Sequence, residues 1–238
     1  THWVNDLISN GLEPELKKLE NIITTKGKAV INSDFDFVWE WLVKGSYPAY
    51  TSYRRQIIDN SRQKAKFEND VRRSIADAIL LGSTNDIIYS ALTTDESGLI
   101  SYGEASILLK TPPIENRSSA LETNSYLFIQ WAITNGWNIN NPLPAGYMSV
   151  WSEKHKLGVT KLGKYLNTGT TENQICKLIL SSNGNRNNDV FIELYIYGKI
   201  VSTAVDKIKL PKLLLTSPDP RKKNQINELK RKFNVEFY

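Results

Sequence analysis

The sequence predicts an α+β protein, in which an N-terminal helical region precedes a mixed or antiparallel sheet with inserted helices. In the first third of the 238-residue chain, apolar residues recur at helical spacing. Composition changes after Gly82, and runs with a period of two then alternate with helical runs. The length suits one large domain, or a helical region joined to a smaller α+β domain. We therefore divide the chain into a helical region, residues 1–85, and an α+β domain, residues 86–238.

The helical region is predicted to contain three helices. Pro14 starts or interrupts the main part of the first, Gly45 ends the second and Gly82 ends the third. Ser33 or Asp34 can cap the second helix. Their approximate ranges are 5–23, 34–44 and 61–81.

In the α+β domain, strands and helices are predicted to alternate. Thr111, Pro112 and Pro113 end one strand sharply, and Asn135-Gly136 ends a helix. Asp219 and Pro220 start a basic C-terminal helix. The predicted strands cover 86–92, 105–109, 174–181 and 189–198, with further alternation over 199–215. The other helices are predicted from about residue 119 to 133 and over 149–166.

Composition excludes several classes of protein. No run approaches the ~20 apolar residues that span a bilayer, and a signal-peptide pattern is absent. Cys176 is the single cysteine and the chain has two histidines, so neither a disulfide nor a structural zinc site is expected. The spacing of P-loop and Rossmann glycines is also missing. Because the chain starts at Thr1 and its sole methionine is Met148, we expect a piece of a longer polypeptide.

The predicted strand from Asp189 to Gly198 has two different faces. Val190, Ile192, Leu194 and Ile196 alternate with Phe191, Glu193, Tyr195 and Tyr197. One interpretation is a binding face, where Glu193 is held among aromatic rings beside a flat ligand. The other is an exposed face, where Glu193 pairs with a lysine such as Lys177.

The segment from Tyr102 to Ser125 also has two interpretations. Arg117, with Ser118 and Ser119 after a strand, suits an anionic ligand such as a pyrophosphate. Alternatively, Ser119 and Glu122 form the capping box of the next helix, and Arg117 is solvated.

Basic residues indicate two further possibilities. They cluster at 54–55, 62–66, 72–73 and 221–232, and the net charge is +5. Such clusters occur on surfaces that bind nucleic acid or acidic proteins, and also on ordinary solvated helices. A nuclease would use Asp219, Glu228 and Lys230 around a divalent cation, but these residues fall in a predicted helix rather than on adjacent strands.

The order of motifs from Ile87 to Ile208 resembles ADP-ribosyltransferase-like domains of bacterial polymorphic and secreted toxins. The similar features are a Tyr-Gly strand that ends in Leu-Lys, then Arg-Ser-Ser with Asn-Ser, and a late Phe-Ile-Glu-x-x-Ile-x-Gly strand. The resemblance implies that NAD is the substrate, bound in a cleft between two small sheets without a metal. It implies Glu193 as the catalytic residue, and Tyr102, Arg117, Ser118, Ser119 and Tyr195 as residues that contact NAD.

The resemblance also implies a biological setting. ADP-ribose would be transferred to a macromolecular acceptor, protein or nucleic acid, or NAD would be hydrolysed. The domain would be secreted or delivered within a larger polypeptide, act in the target cell's cytoplasm and have a cognate inhibitor protein. Two positions depart from the family's pattern: the arginine or histidine of the first core strand is missing at residues 89–92, and Phe191 replaces an acid or amide. The alternative from a different class is a non-catalytic module that binds a partner protein or nucleic acid.

Overall fold

The computed structural model describes residues 2–45, 68–82, 87–138, 140–143 and 145–238. Within them the α-helices are α1 (His2–Ser9), α2 (Glu13–Lys26), α3 (Phe35–Trp39), α4 (Glu68–Leu81), α5 (Ser125–Thr134), α6 (Lys154–Leu162), α7 (Glu172–Ile179) and α8 (Pro220–Lys232). The strands are β1 (Lys28–Ser33), β2 (Ile87–Thr93), β3 (Ala105–Leu109), β4 (Ser118–Leu121), β5 (Met148–Val150), β6 (Leu180–Ser181), β7 (Val190–Phe191), β8 (Glu193–Tyr197), β9 (Val205–Leu210) and β10 (Val235–Phe237).

A mixed sheet of eight strands organises the chain, in the order β10-β9-β3-β1-β2-β8-β4-β5. The pairs are antiparallel except β9 with β10, which is parallel. β6 and β7 form a separate two-stranded ladder. The predicted α+β class is therefore confirmed.

Apolar residues cover both faces of this sheet. The first face, which carries Tyr195 and Leu121, packs against α4 and α5 through Ala76, Phe128 and Ile129. We call it the α4/α5 face. The opposite face packs against α2, α6 and α7 in the largest apolar cluster. Of the helices that the structure describes, none is long and apolar enough to span a bilayer.

Several local predictions are confirmed. Pro14 lies in the first turn of α2, and Asp34 occupies the N-cap position of α3, although its side chain makes no capping hydrogen bond. The helix that starts at α3 continues as a π-helical turn to Lys44, where Gly45 ends it in the left-handed conformation. β2, β3, β8 and α8 also lie where they were expected. The basic residues at 54–55 and 62–66 fall outside the described residues.

The structure departs from the predicted elements in several places; for example, residues 149–150, predicted as helix, belong to β5. β1 was not foreseen, yet it lies between β3 and β2, so the first 85 residues contribute a central strand as well as helices. Residues 174–179, predicted as strand, belong to α7, where Ile175 and Ile179 lie one turn apart on its buried side. The hydroxyl of Thr171 and the side chain of Gln174 form a capping box at its start, which fixes the helical choice.

Candidate active site around Glu193

Glu193 begins β8 in the middle of the sheet, opposite Ala91 of β2 and Leu121 of β4. Its side chain lies on the α4/α5 face, and the residue is only 2% exposed. Tyr195, two residues on, is fully buried. The interpretation of an exposed strand face, on which Glu193 pairs with Lys177, is therefore wrong. The alternation of apolar and polar residues failed here because helices cover the aromatic side of the strand as well.

Two fixed donors hold the carboxylate of Glu193. The backbone N–H of Ser125 donates to Oε2 at 3.0 Å, and the hydroxyl of Tyr195 donates to the same oxygen at 2.7 Å. Ser125 is the first residue of α5, whose N-cap is Asn124. The carboxylate therefore lies at the positive end of a helix, which favours a negative charge there.

A second tyrosine and an aspartate extend this buried polar group. The ring of Tyr89 meets that of Tyr195 edge-on, with centroids 6.0 Å apart, and the Tyr89 hydroxyl donates to Asp77 of α4. Asp77 is fully buried. The sequence analysis missed Asp77 and Tyr89, because only the β2–β8 register places Tyr89 opposite Tyr195.

Hydroxyls of Ser119 and Ser125 complete the surroundings of Glu193. Ser119 lies opposite Tyr195 in the β4–β8 pair, on the same face of the sheet as Glu193. Each of these two hydroxyl oxygens is buried and has no hydrogen-bond partner among the described residues. Buried hydroxyls are normally hydrogen-bonded, so both are available to a ligand.

The capping box predicted at Ser119 and Glu122 is wrong. Both Ser118 and Ser119 belong to β4, and α5 starts only at Ser125. Asn124 caps that helix instead, by accepting a hydrogen bond from the N–H of Tyr126 at 3.0 Å. Asparagine is as good a cap as serine, so the Asn-Ser pair was the signal for this start.

The other predicted site residues lie elsewhere. The hydroxyl of Ser118 donates to the carbonyl of Ile114 at 2.7 Å. Arg117 donates through Nε to the carbonyl of Pro113 at 2.9 Å and through a terminal nitrogen to that of Tyr197. Partial burial lowers the pKa of Arg117. Its guanidinium joins the entry of β4 to the end of β8, away from Glu193.

Tyr102 is also separate from the Glu193 carboxylate. Its ring lies edge-on to Phe191, with centroids 6.3 Å apart, and the guanidinium of Arg186 lies 4.5 Å from its centre. The structure thus brings together Glu193, Tyr195 and Ser119, but not Arg117, Ser118 or Tyr102.

Lys161 of α6 is a further residue that the sequence analysis missed. Its ammonium donates to the carbonyl of Phe191, the last residue of β7, at 2.6 Å, and to the carbonyl of Glu122, which follows β4. Burial lowers the pKa of Lys161 to about 8, with Glu122 opposing the shift. Burial likewise raises the pKa of Glu122. Lys161 therefore joins two chain segments beside Glu193, although nothing in its helical spacing distinguishes it from the exposed Lys156 of the same helix.

The residues of the nuclease interpretation have structural partners. Asp219 caps α8 by accepting a hydrogen bond from the N–H of Arg221 at 2.9 Å, and Glu228 accepts one from Trp39 Nε1 at 2.7 Å. Glu228 lies within α8, and Asp219 is the N-cap residue of that helix. Over the described ranges, no group of three or more His, Cys, Asp and Glu side chains is arranged to hold a metal ion.

Comparison with protein-family models and with curated proteins gave no match to this chain.

Proposed function

We propose that this chain is a toxin or effector domain that consumes NAD. It transfers ADP-ribose to a macromolecular acceptor, protein or nucleic acid, or hydrolyses NAD. Glu193 is the proposed catalytic residue. The resemblance over residues 87–208 supplies the reaction class, and delivery within a larger bacterial polypeptide and a cognate inhibitor belong to the same proposal.

The observation that carries the proposal is the fixed carboxylate of Glu193. Its two donors, the N–H of Ser125 and the hydroxyl of Tyr195, lie 3.0 and 2.7 Å from one oxygen. Both are rigid, because one belongs to a helix backbone and the other to a ring that is fully buried. A preorganised charge of this kind stabilises an opposite charge that develops in a transition state.

NAD supplies a glycosidic bond whose cleavage builds positive charge on the nicotinamide ribose. The carboxylate of Glu193 opposes that charge and accepts a hydrogen bond from a ribose hydroxyl. Tyr195 and the N-terminus of α5 keep the carboxylate oriented. The unpartnered hydroxyls of Ser119 and Ser125 fit a polar ligand on the same face.

The burial of Glu193 means that the protein must open before NAD can reach the carboxylate. Since the residue is 2% exposed, NAD reaches the carboxylate only if the cover on the α4/α5 face moves. Catalysis should therefore be sensitive to changes that restrict movement of α5 relative to β4.

The test is release of nicotinamide from NAD by the wild type and by Glu193→Gln, compared at equal folded fraction. Glutamine keeps the size of the side chain but removes its charge, so turnover should fall by about 10²-fold or more. Glu96→Gln, which changes a glutamate outside this site, is the matched control and should retain wild-type turnover. Equal rates for Glu193→Gln and the wild type, or no release by the wild type with protein and nucleic-acid acceptors, would reject the proposal.

A second candidate function rests on α8. This helix carries six basic residues and one acid, and Lys223, Lys230 and Arg231 are exposed. A surface of this charge fits the phosphates of a nucleic acid. If α8 binds nucleic acid, affinity should fall steeply with salt, and Lys223→Gln with Arg231→Gln should flatten that dependence. Lack of binding at low salt would remove this candidate.

A further inference from the structure

A cleft opens on the sheet at a distance from Glu193. Its volume is about 320 Å³. One wall is the loop after β2, residues 95–100, and the other is the end of α7 with the first residues after it, 177–182. Ser106 of β3 and Lys209 of β9, which are paired in the sheet, form part of its floor. We call it the β2–β6 cleft.

The loop wall is held in an uncommon conformation. Glu96 has φ +63°, the left-handed region that a residue with a side chain rarely adopts. Its carboxylate pairs with Lys28 at 3.0 Å and Lys207 at 2.6 Å, and its carbonyl accepts a hydrogen bond from Lys209 at 3.1 Å. Backbone strain of this kind persists where surrounding contacts over-determine it, and it occurs often at ligand sites.

A glycine brings this wall close to the floor. A Cβ added to Gly98 would lie 2.2 Å from the hydroxyl of Ser106 and 2.7 Å from the amide oxygen of Asn32. That same oxygen accepts the N–H of Leu99 at 2.7 Å. The loop is therefore fixed against β1 and β3, and the cleft has rigid walls without a ligand.

The carboxylates and the lysines that face the β2–β6 cleft differ in the polar partners that they have. Asp95 accepts hydrogen bonds from the N–H of Ser97 at 3.0 Å and from the hydroxyl of Thr93 at 3.3 Å, and Glu96 has its two lysines. The lysines on the cleft are not matched in the same way. Lys209 donates to the carbonyl of Glu96, and among the described residues neither Lys209 nor Lys177 forms an ion pair.

A hydroxyl on the opposite wall also lacks a partner. The oxygen of Ser182 is buried and makes no hydrogen bond to any described residue. Two cations without carboxylate partners and an unused hydroxyl suit the oxygens of a phosphate, which accept several hydrogen bonds at once. Further hydroxyls at Ser97 and Ser181 can bind a polar ligand body.

We propose that the β2–β6 cleft binds a small phosphate ester, of the size of a sugar phosphate or a mononucleotide. Ligand pockets commonly measure roughly 300–1,000 Å³, so this cleft is at the small end and does not suit a whole dinucleotide. The ligand's phosphate binds Lys177 and Lys209, and the hydroxyl of Ser182, which is buried without a ligand, rotates toward it. Its hydroxyls contact the serines of both walls.

This site is distinct from the one at Glu193. β3 and β8 are three strand spacings apart, or about 14 Å. An apolar cluster that includes Val30, Leu99 and Phe191 separates the cleft from the carboxylate. Binding at the cleft can therefore be measured without NAD, and failure of the NAD proposal leaves this one intact.

Calorimetric titration with ribose 5-phosphate at low ionic strength tests the proposal, with ribose as the comparison ligand. Saturable binding of ribose 5-phosphate, and much weaker binding of ribose, is expected. Lys177→Met combined with Lys209→Met should raise the Kd by at least about tenfold, since two charge-assisted contacts are lost. Lys156→Met, on the exposed side of α6, is the matched control and should leave the Kd unchanged.

Ser182→Ala provides a second measurement that does not change charge. It should weaken ribose 5-phosphate binding severalfold without lowering the melting temperature, because the hydroxyl has no hydrogen-bond partner among the described residues. Absence of saturable binding by the wild type would overturn the proposal. Equal affinities in the double lysine variant and the Lys156→Met control would overturn it as well.

Discussion

Glu193 lies in the sheet and Glu96 in the loop after β2, and their carboxylates are held in opposite ways. Glu193 is 2% exposed, and its carboxylate accepts hydrogen bonds from the backbone N–H of Ser125 and from the hydroxyl of the fully buried Tyr195. The side chain of Glu96 is 28% exposed and is bound by two lysines on flexible stems. Although partial burial opposes it, hydrogen bonds from Lys207 and Lys28 lower the pKa of Glu96. A buried carboxylate with neutral, rigid donors depends on geometry, whereas a surface carboxylate depends on charge and is screened by solvent.

The same substitution at both positions should separate these two modes. Glu193→Ala removes the carboxylate that accepts hydrogen bonds from the Ser125 N–H and the Tyr195 hydroxyl in a buried site, at a cost of about 3 kcal/mol. Glu96→Ala removes partly exposed ion pairs and should cost no more than about 1 kcal/mol. Chemical denaturation measures both free energies of unfolding. Equal costs would contradict the distinction between the two carboxylates.

Lys161, which lies beside Glu193, gives a test of the buried region through the dependence of stability on pH. Burial lowers its pKa to about 8, from an ordinary value of 10.5. Between these values the unfolded chain binds more protons than the folded one, so this group's contribution to stability rises with pH over that window. The expected gain is about 3 kcal/mol.

Unfolding free energies measured from pH 7.5 to about 10.5 check this expectation. Lys161→Met should remove the gain, and Lys156→Met, an exposed lysine on the same helix, should preserve it. Comparing differences from the wild type cancels the contributions of the other titrating groups. A wild-type slope that persists in Lys161→Met would show that another group causes it.

The N-cap of α5 is a smaller test of the same buried region. Asn124 accepts the N–H of Tyr126 at 3.0 Å and starts the helix whose first N–H holds Glu193. Asn124→Ala should cost about 1 kcal/mol in unfolding free energy. It should also lower nicotinamide release more than this loss of folded protein explains, because the donor to Glu193 becomes less well fixed. A purely structural cap would change stability and leave turnover per folded molecule unchanged.

Features set by residues close together in the sequence could be predicted, whereas features set by contacts between distant segments could not. Local signals placed the start of α3, the end at Gly45 of the π-helical turn that continues it, the start of α8 at Pro220, and the strand that contains Glu193. The burial of Glu193 depends on α5 crossing the aromatic side of β8, which no local pattern records. β1 was missed because its apolar part is only Ala29, Val30 and Ile31, flanked by polar residues on both sides. The partners of Glu193 at Ser125 and of Lys161 at Phe191 and Glu122 are similarly set by tertiary contacts.

Ser119 gives the smallest effect and the clearest contrast with Asn124. The spacing of Ser119 and Glu122 predicted a helix cap, and therefore a loss of about 1 kcal/mol on Ser119→Ala. In the structure Ser119 lies within β4, and its hydroxyl is buried without a hydrogen-bond partner in the described chain. Removing a buried hydroxyl that makes no bond relieves a desolvation cost, so the substitution should be neutral or slightly stabilising, within about 0.5 kcal/mol. Thermal unfolding of Ser119→Ala beside Asn124→Ala measures the contrast, and a loss near 1 kcal/mol in both would restore the capping interpretation. If Ser119→Ala keeps full stability but loses affinity for NAD, the hydroxyl of Ser119 contacts the ligand.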